Sequence, residues 1–162
     1  MSATDPDAIA LDAIDRRILN ALQVNARLRN NDLAAQVGLS ASPCLRRVKR
    51  LEDAGVIRGY ATLVDQQAVG LPVSIFISVT LERQVEKALE EFEANIRSWP
   101  EVMECYLMTG DADYLLRVVT ADLAAYERFL MDKLTRVAGV ASIKSSFSLK
   151  QIVYRTALPV AG

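Results

Sequence analysis

The chain of 162 residues contains no histidine. Histidine supplies the near-neutral general base of catalytic triads and is a common zinc ligand, so a histidine triad and a histidine zinc site are both excluded. A glycine-rich phosphate-binding loop is also missing from the sequence. We therefore expect a protein that is not an enzyme, with no catalytic residues, no metal site and no cofactor.

Long apolar runs and a recognisable export signal are also missing. No apolar run approaches the about 18 residues that a membrane-spanning helix needs, so we expect no membrane partner. The first residues, MSATDPDAIA, are acidic and lack the hydrophobic centre of a secretory signal, which predicts a disordered lead-in over residues 1–10. The two cysteines, Cys44 and Cys105, lie in apolar surroundings and are expected to be buried and reduced. These features favour a cytoplasmic protein.

The most informative segment runs from Asn31 to Tyr60, NDLAAQVGLSASPCLRRVKRLEDAGVIRGY. Its first part predicts a short helix, which Asp32 can cap and Gly38 can end in a left-handed turn. A second helix then opens at Ser42-Pro43, because serine accepts from unpaired amides and proline loses no hydrogen bond in a first turn. Gly55 ends this helix, and a strand is expected to start at Val56. Apolar spacing predicts a buried stripe on the second helix made of Cys44, Leu45, Val48 and Leu51.

The other face of the second helix is basic. Two short helices joined by a tight turn, with basic residues and serines on the second, are typical of a helix-turn-helix that places its second helix in the major groove of double-stranded DNA. Lysine suits phosphate, whereas arginine can also bind guanine. The expected DNA-binding residues are Ser40, Ser42, Arg46, Arg47, Lys49 and Arg50. Two alternatives stay open: the basic residues form only a solvated face, or Arg47 braces the helix against Glu52 or an acid of the first helix.

The net charge of −1 is mild for a DNA-binding protein, but it is unevenly distributed. Residues 1–60 hold nine Lys/Arg against seven Asp/Glu, and residues 61–162 hold ten against thirteen. Local charge determines phosphate contacts, so the amino-terminal part remains suited to DNA. The mild total charge predicts weak non-specific binding by one subunit, and tight binding by several subunits together.

The sequence divides into two domains. An amphipathic helix over Leu11–Leu22, with Asp12 as a possible cap, precedes the helix-turn-helix, so a winged helix-turn-helix domain is predicted for residues 11–64, with the motif at about 30–49. Residues 65–72, polar and closing on Gly70 and Pro72, predict a linker.

From Val73 the apolar period becomes that of strands, and a domain over residues 73–158 follows. We expect a ferredoxin-like β-α-β-β-α-β order and therefore an α+β fold class. One face of its sheet, with Phe76, Tyr106 and Met108, has no segment left to cover it, which predicts at least a homodimer. The predicted elements are strand Val73–Leu81, helix 84–98, strands Val102–Thr109 and Asp113–Thr120, a helix capped by Asp122 with Leu123, Tyr126, Phe129, Leu130 and Leu134 inward, and strand Val140–Tyr154.

Several motifs occur in a characteristic order along residues 11–158. They are Leu11-Asp12-x-x-Asp15-x-x-Ile18-Leu19, Leu33-Ala34-x-x-Val37-Gly38-Leu39-Ser40, Pro43-Cys44-x-x-Arg47-Val48-x-Arg50-Leu51-Glu52, Gly55-Val56-Ile57-x-Gly59-Tyr60, Gly110-Asp111-x-Asp113-Tyr114-Leu115-Leu116 and Gly139-Val140. On these residues the chain resembles the Lrp/AsnC family of feast/famine transcriptional regulators.

The resemblance implies an amino-terminal DNA-binding domain and a carboxyl-terminal (RAM-type) domain that binds a small amino acid and builds dimers, often an octamer of four dimers. It also implies an effector site at the Gly-Asp-x-Asp-Tyr turn, whose residues here are Thr109, Gly110, Asp111, Asp113 and Tyr114. Backbone amides at Gly110 and a carboxylate from Asp111 suit the two charges of an amino acid. The residues alone also allow a plain β-hairpin turn, and Asp113 can be a cap rather than a ligand.

The sequence thus predicts a sequence-specific transcriptional regulator that responds to an amino acid or a related metabolite. One alternative is a nucleoid-associated protein that wraps DNA with little sequence preference. Another is an amino-acid-metabolising enzyme or its regulatory subunit, against which the missing histidine and the basic helix both argue.

Overall fold

The computed structural model describes residues 9–161, so most of the predicted lead-in lies outside the described residues. The chain forms two compact units. One runs to Thr62 and includes the residues from Val153 onward, and the other is Leu63–Ile152. None of the helices in the described part of the chain is long and apolar enough to span a membrane.

Three helices build the first unit: α1 (Ala13–Val24), α2 (Asn30–Val37) and α3 (Ala41–Asp53). Asp12 caps α1 as predicted, because its carboxylate accepts hydrogen bonds from the amides of Ile14 and Asp15 while Asp15 bonds back to the Asp12 amide. The apolar faces of the three helices meet in one core. Its buried residues are Ile18, Leu19, Ala21, Leu33, Ala34, Val37, Cys44 and Leu51.

The turn between α2 and α3 is shorter than the sequence suggested. Gly38 ends α2 in the left-handed conformation as predicted, and the Leu39 amide bonds to the Ala34 carbonyl. Since this turn closes within three residues, α3 begins already at Ala41, and the predicted cap at Ser42 was wrong. Asp32 likewise lies in the first turn of α2 instead of capping it.

The buried stripe of α3 omits one predicted residue. Cys44, Val48 and Leu51 follow the i, i+4, i+7 spacing of one helix face and pack on the core. Leu45 is 58% exposed, because it follows Cys44 by one position and therefore points about 100° away around the helix.

The strand predicted to start at Val56 does not form. Within the described residues, no strand lies between α3 and Val73. The Ile57 amide bonds to the Leu51 carbonyl and ties the chain back to α3. A strand needs a partner for its backbone groups, and Tyr60, Leu63 and Val64 remain exposed here instead.

The second unit has the predicted β-α-β-β-α-β order. Its antiparallel sheet has the strand order β2-β3-β1-β4, the arrangement of a ferredoxin-like fold. The elements are β1 (Val73–Leu81), α4 (Glu86–Arg97), β2 (Val102–Leu107), β3 (Tyr114–Thr120), α5 (Leu123–Asp132), a 3₁₀ turn (Leu134–Arg136) and β4 (Val140–Phe147).

The core of this unit lies between the helices and one face of the sheet. Alternate residues of β1, namely Ile75, Ile77 and Val79, are fully buried there with Phe92 and Phe129 of the helices. Leu123, predicted to point inward, is 64% exposed in the first turn of α5. Cys105, predicted to be buried, is exposed because β2 is an edge strand.

The last strand is shorter than predicted. Phe147 pairs with Ile75, and the Ser148 amide bonds to the Ser74 carbonyl. Since β1 begins at Val73, its pairing surface ends there, and the residues after Phe147 have no regular structure.

The sheet face opposite the helices is open in this chain. Phe76, Tyr106 and Met108 are 40%, 52% and 44% exposed, and no segment of the described unit covers them. Arg117 and Glu104 pair across this face with their charged atoms 2.9 Å apart. The bare apolar face predicted from the sequence is therefore present in the single chain.

Candidate functional site

The helix α3 presents a polar, basic face to solvent. Ser40, Ser42, Arg46 and Lys49 are exposed, and Ser40 occupies the N-cap position without using its hydroxyl as a cap. Among the described residues, neither Arg46 nor Lys49 takes part in an ion pair. These side chains therefore keep their hydrogen-bonding groups for an external partner.

The other two basic residues of the predicted DNA-binding set lie against α1. Arg47 donates through Nη1 to Asp12 Oδ2 at 2.7 Å and to Asp15 Oδ1 at 2.8 Å. Arg50 donates through Nη2 to Asp15 Oδ2 at 2.5 Å. The alternative of a brace to an acid of the first helix thus describes the geometry of Arg47. Its other suggested partner, Glu52, instead accepts a hydrogen bond from the Tyr60 hydroxyl.

The cluster is centred on one buried acid. The Asp15 side chain is fully buried, whereas Arg47 and Arg50 retain 27% and 47% of their side-chain exposure. A buried carboxylate needs partners for its charge, and the two guanidinium groups supply them. Bonds from the Asp15 amide and the Arg47 guanidinium lower the pKa of Asp12 to about 2. Asp12 is therefore ionised at neutral pH, and the contacts of Asp12 and Asp15 orient the arginines of α3.

Two contacts that the sequence did not predict also position the motif. The Asn30 side chain donates to the Ala41 carbonyl at 2.8 Å and joins the start of α2 to the start of α3. The Tyr60 hydroxyl bonds to Glu52 at 2.8 Å, and partial desolvation of the hydroxyl together with this bond raises the pKa of Tyr60 to about 12, although much of the ring stays exposed. Neither contact follows an i, i+3 or i, i+4 rule, so helix periodicity could not reveal them.

The predicted effector turn divides into an exposed and a buried part. Thr109, Gly110 and Asp111 are exposed between β2 and β3. Gly110 has φ +123°, a conformation that side chains rarely adopt, and a Cβ there would still meet open space. The turn thus offers accessible backbone groups and one carboxylate to a small molecule.

Asp113 and Tyr114 are not part of that exposed surface. The buried Asp113 carboxylate accepts from the Leu81 amide at 2.7 Å and from the Gln84 side chain. Tyr114 is buried on the helix side of the sheet and donates to Glu93 at 3.1 Å. Burial and this bond raise the Tyr114 pKa. Both residues therefore hold the β3 end of the turn, and the Asp113 carboxylate is already engaged within the chain.

A small cavity adjoins the buried side of the turn. Its volume is about 250 Å³, and it lies between α4 and the edge strand β2. The Glu93–Arg97 ion pair, 2.8 Å long, borders it together with the Tyr114 ring. The cavity is lined by Glu93, Ile96, Arg97, Cys105, Leu107 and Tyr114.

Comparisons with known proteins match both units. A family model described as "Lrp/AsnC ligand binding domain" matches residues 74–158, and one described as "Winged helix-turn-helix DNA-binding" matches residues 11–58. The chain is 51% identical to the Bkd operon transcriptional regulator of Pseudomonas aeruginosa, covering 93% of this chain and 98% of that protein.

A second sequence relative and a solved structure also match nearly the whole chain. The chain is 41% identical to the leucine-responsive regulatory protein of Rhizobium meliloti, covering 89% of this chain and 92% of that protein. A transcriptional regulator of Neisseria meningitidis, crystallised in complex with L-Met, aligns with a TM-score of 0.87 and 46% identity. That alignment covers 93% of this chain and 97% of the other.

Proposed function

Because the chain belongs to the Lrp/AsnC family of transcriptional regulators, we propose that it binds specific DNA sequences and that an amino acid controls its activity or assembly. The observation that carries the proposal is the exposed face of α3, whose arginine, lysine and serine side chains lie beside an ionic cluster, centred on the buried Asp15, that orients the helix. A regulator of this kind acts on chromosomal DNA, and we place it in the cytoplasm.

The basic and serine residues of α3 divide into those that contact DNA and those that position the helix. Arg46, with Ser40 and Ser42 at the amino end of α3, suits base edges or phosphate, and Lys49 suits phosphate. Arg47 and Arg50 position α3 through Asp15, and Arg50, which is half-exposed, keeps donors for a neighbouring phosphate.

The assembly follows from the open sheet face. We propose a homodimer that covers Phe76 and Tyr106 with a second copy, and an octamer of four such dimers as the larger form. A two-fold dimer favours a near-palindromic site whose half-sites are about 34–36 Å apart. When several subunits place their α3 helices on one DNA molecule, their combined affinity compensates for the weak binding expected from the mild charge of each subunit.

We propose an aliphatic amino acid as the effector. The support is the leucine-responsive relative and the neighbouring structure that holds L-Met. Its carboxylate would meet backbone amides at Thr109 and Gly110, and Asp111 would accept from its ammonium group. Asp113 and Tyr114 hold the β3 end of this turn in place.

DNA selection from a random pool, followed by footprinting, tests the DNA-binding proposal. Arg46→Ala should weaken binding to the selected site by roughly 10- to 100-fold. Lys49→Ala should make the slope of log DNA affinity against log salt concentration shallower by about one. Lys87→Ala, which removes an exposed lysine of α4, is the matched control. Unchanged affinity in both α3 variants would refute the assignment, and uniform protection without a preferred site would favour DNA wrapping.

A thermal-shift screen of the twenty amino acids tests the effector proposal. A ligand that binds the folded state raises the melting temperature, so leucine or methionine should do so in a concentration-dependent way. Asp111→Asn should abolish the shift, whereas Asp122→Asn, at the N-cap of α5, should leave it intact. A full response in Asp111→Asn would contradict the proposed site.

A further inference from the structure

The carboxyl-terminal segment Leu158–Ala161 lies on one face of α1. Gln23 makes two bonds to the main chain of Leu158: its Oε1 accepts from the amide at 2.6 Å and its Nε2 donates to the carbonyl at 3.1 Å. Asn20 donates to the Val160 carbonyl at 3.2 Å, and Arg16 donates to the Ala161 carbonyl at 3.0 Å. Three side chains spaced i, i+4, i+7 therefore bind successive main-chain groups of one short segment, in which the Val160 amide also bonds to the Leu158 carbonyl.

The contact also has an apolar part. Val160 is half-buried and packs on the hydrophobic core that α1, α2 and α3 share. By contrast, the stretch between β4 and this segment is exposed and has no regular structure, with Leu149 fully exposed and Ile152 78% exposed. The segment is therefore attached specifically at its end, although the chain leading to it is not.

The helix α1 connects this segment to the DNA-binding helix. Asp15, which holds Arg47 and Arg50 of α3, is the direct neighbour of Arg16, which holds the end of the segment. An isolated helix of this length is marginal in water, so α1 depends on tertiary contacts along its sides. A contact that spans Arg16 to Gln23 covers most of the helix and opposes its local unfolding.

We propose that Leu158–Ala161 acts as a clamp on α1, and that Arg16, Asn20 and Gln23 are positioning residues which order α3 through Asp15. The clamp follows β4 in the chain, so it gives the unit that carries the effector turn a covalent connection to α1 in addition to the linker. This extends the proposed function, because the clamp provides a route by which a change in that unit reaches the DNA-binding helix.

Hydrogen exchange of the full-length protein without DNA tests the clamp. Gln23→Ala, and separately a chain that ends at Ala157, should both raise amide exchange in α1 on the order of tenfold and leave the strands of the second unit unchanged. Arg17→Ala, exposed on the same helix, and Thr156→Ala, exposed just before the segment, are matched controls. Unchanged α1 exchange in both test variants would overturn the proposal.

The role of Asp15 is tested by combining the truncation with Asp15→Asn and comparing the amide exchange of α3. In wild type, loss of the clamp should also raise exchange in α3, whereas in an Asp15→Asn background the same truncation should add little there. Additive effects would mean that the segment only stabilises α1, and would refute a positioning role.

DNA affinity for the selected site should follow the same pattern, with a several-fold loss on truncation that is absent in Asp15→Asn. If wild type selects no site, the proposed function fails, while the exchange comparison still decides whether the clamp exists and acts through Asp15.

Discussion

Asp15 has no exposed side-chain surface, and its carboxylate accepts hydrogen bonds from two arginines of α3. One acidic residue of α1 therefore fixes the positions of two basic side chains of α3. The same arginines would otherwise repel each other and their neighbours on a strongly basic helix face. Asp15 thus permits a high local positive charge where a DNA phosphate is expected.

Replacing Asp15 by asparagine should destabilise the protein by about 1–3 kcal/mol, because the buried side chain loses its charge-assisted hydrogen bonds to Arg47 and Arg50, which are themselves partly exposed to solvent. Urea unfolding followed by circular dichroism measures this loss. Asp32→Asn, an exposed acid in the first turn of α2, should change the free energy of unfolding by less than about 0.5 kcal/mol. Equal effects of the two substitutions would show that the cluster contributes nothing to stability.

Asp12 makes stability depend on pH in the acid range. Its folded pKa of about 2 lies below the ordinary value of 3.8, so the unfolded chain binds the proton more readily. The stabilisation is therefore present at neutral pH and is lost as pH falls from about 4 towards 2. Asp12→Asn retains a capping side chain but removes this titration. The difference in melting temperature between wild type and Asp12→Asn should shrink across that window, and a constant difference would contradict the assignment.

At the scale of elements, the short connection between α2 and α3 defines the DNA-binding motif. Its geometry depends on Gly38, which has φ +76° and open space where a Cβ would lie. A side chain at this position therefore meets backbone strain but no steric clash. The Asn30 bond to the Ala41 carbonyl then holds the two helix starts together.

Gly38→Ala should cost about 1–2 kcal/mol, since alanine is strained in the left-handed region. Gly38→Asn should cost clearly less, because asparagine tolerates that conformation. Thermal unfolding of both variants separates conformational strain from lost packing. If alanine and asparagine are equally destabilising, the left-handed turn is not the cause.

At the scale of the whole molecule, the open sheet face is the surface that we propose a second copy covers. Its exposed apolar side chains are spread over β1, β2 and the start of the effector turn, so a second copy that covers the face would also contact the region of that turn. This gives a physical basis for linking assembly to effector binding, because a ligand that binds one assembly state more tightly shifts the population towards it.

The double substitution Phe76→Ser with Tyr106→Ser should weaken self-association at least about tenfold, because it removes apolar surface that association would bury. Sedimentation velocity over a range of concentrations measures the effect. Leu123→Ser with Met131→Ser removes similarly exposed apolar side chains from α5 and should leave association unchanged. Equal weakening by both pairs would place the interface elsewhere.

Much of the fold was determined by local sequence alone. The caps at Asp12 and Asp122, the turn at Gly38 and the alternation of β1 are properties of neighbouring residues, and all were predicted correctly. Even the open sheet face followed from counting elements, since no segment was left to cover it. The face of α3 that carries Arg46 and Lys49 could likewise be read from helical spacing.

Only the tertiary structure decided which basic residues stay free and where the elements end. The partners of Arg47 and Arg50 lie on α1, and the segment that binds Gln23 lies at the other end of the chain, so no periodicity could reveal either contact. The strand after α3 and the extension of β4 were predicted from β propensity but lack a pairing partner within residues 9–161. A strand requires backbone partners, and a buried charge requires a counter-charge, and both requirements are met only when distant segments come together.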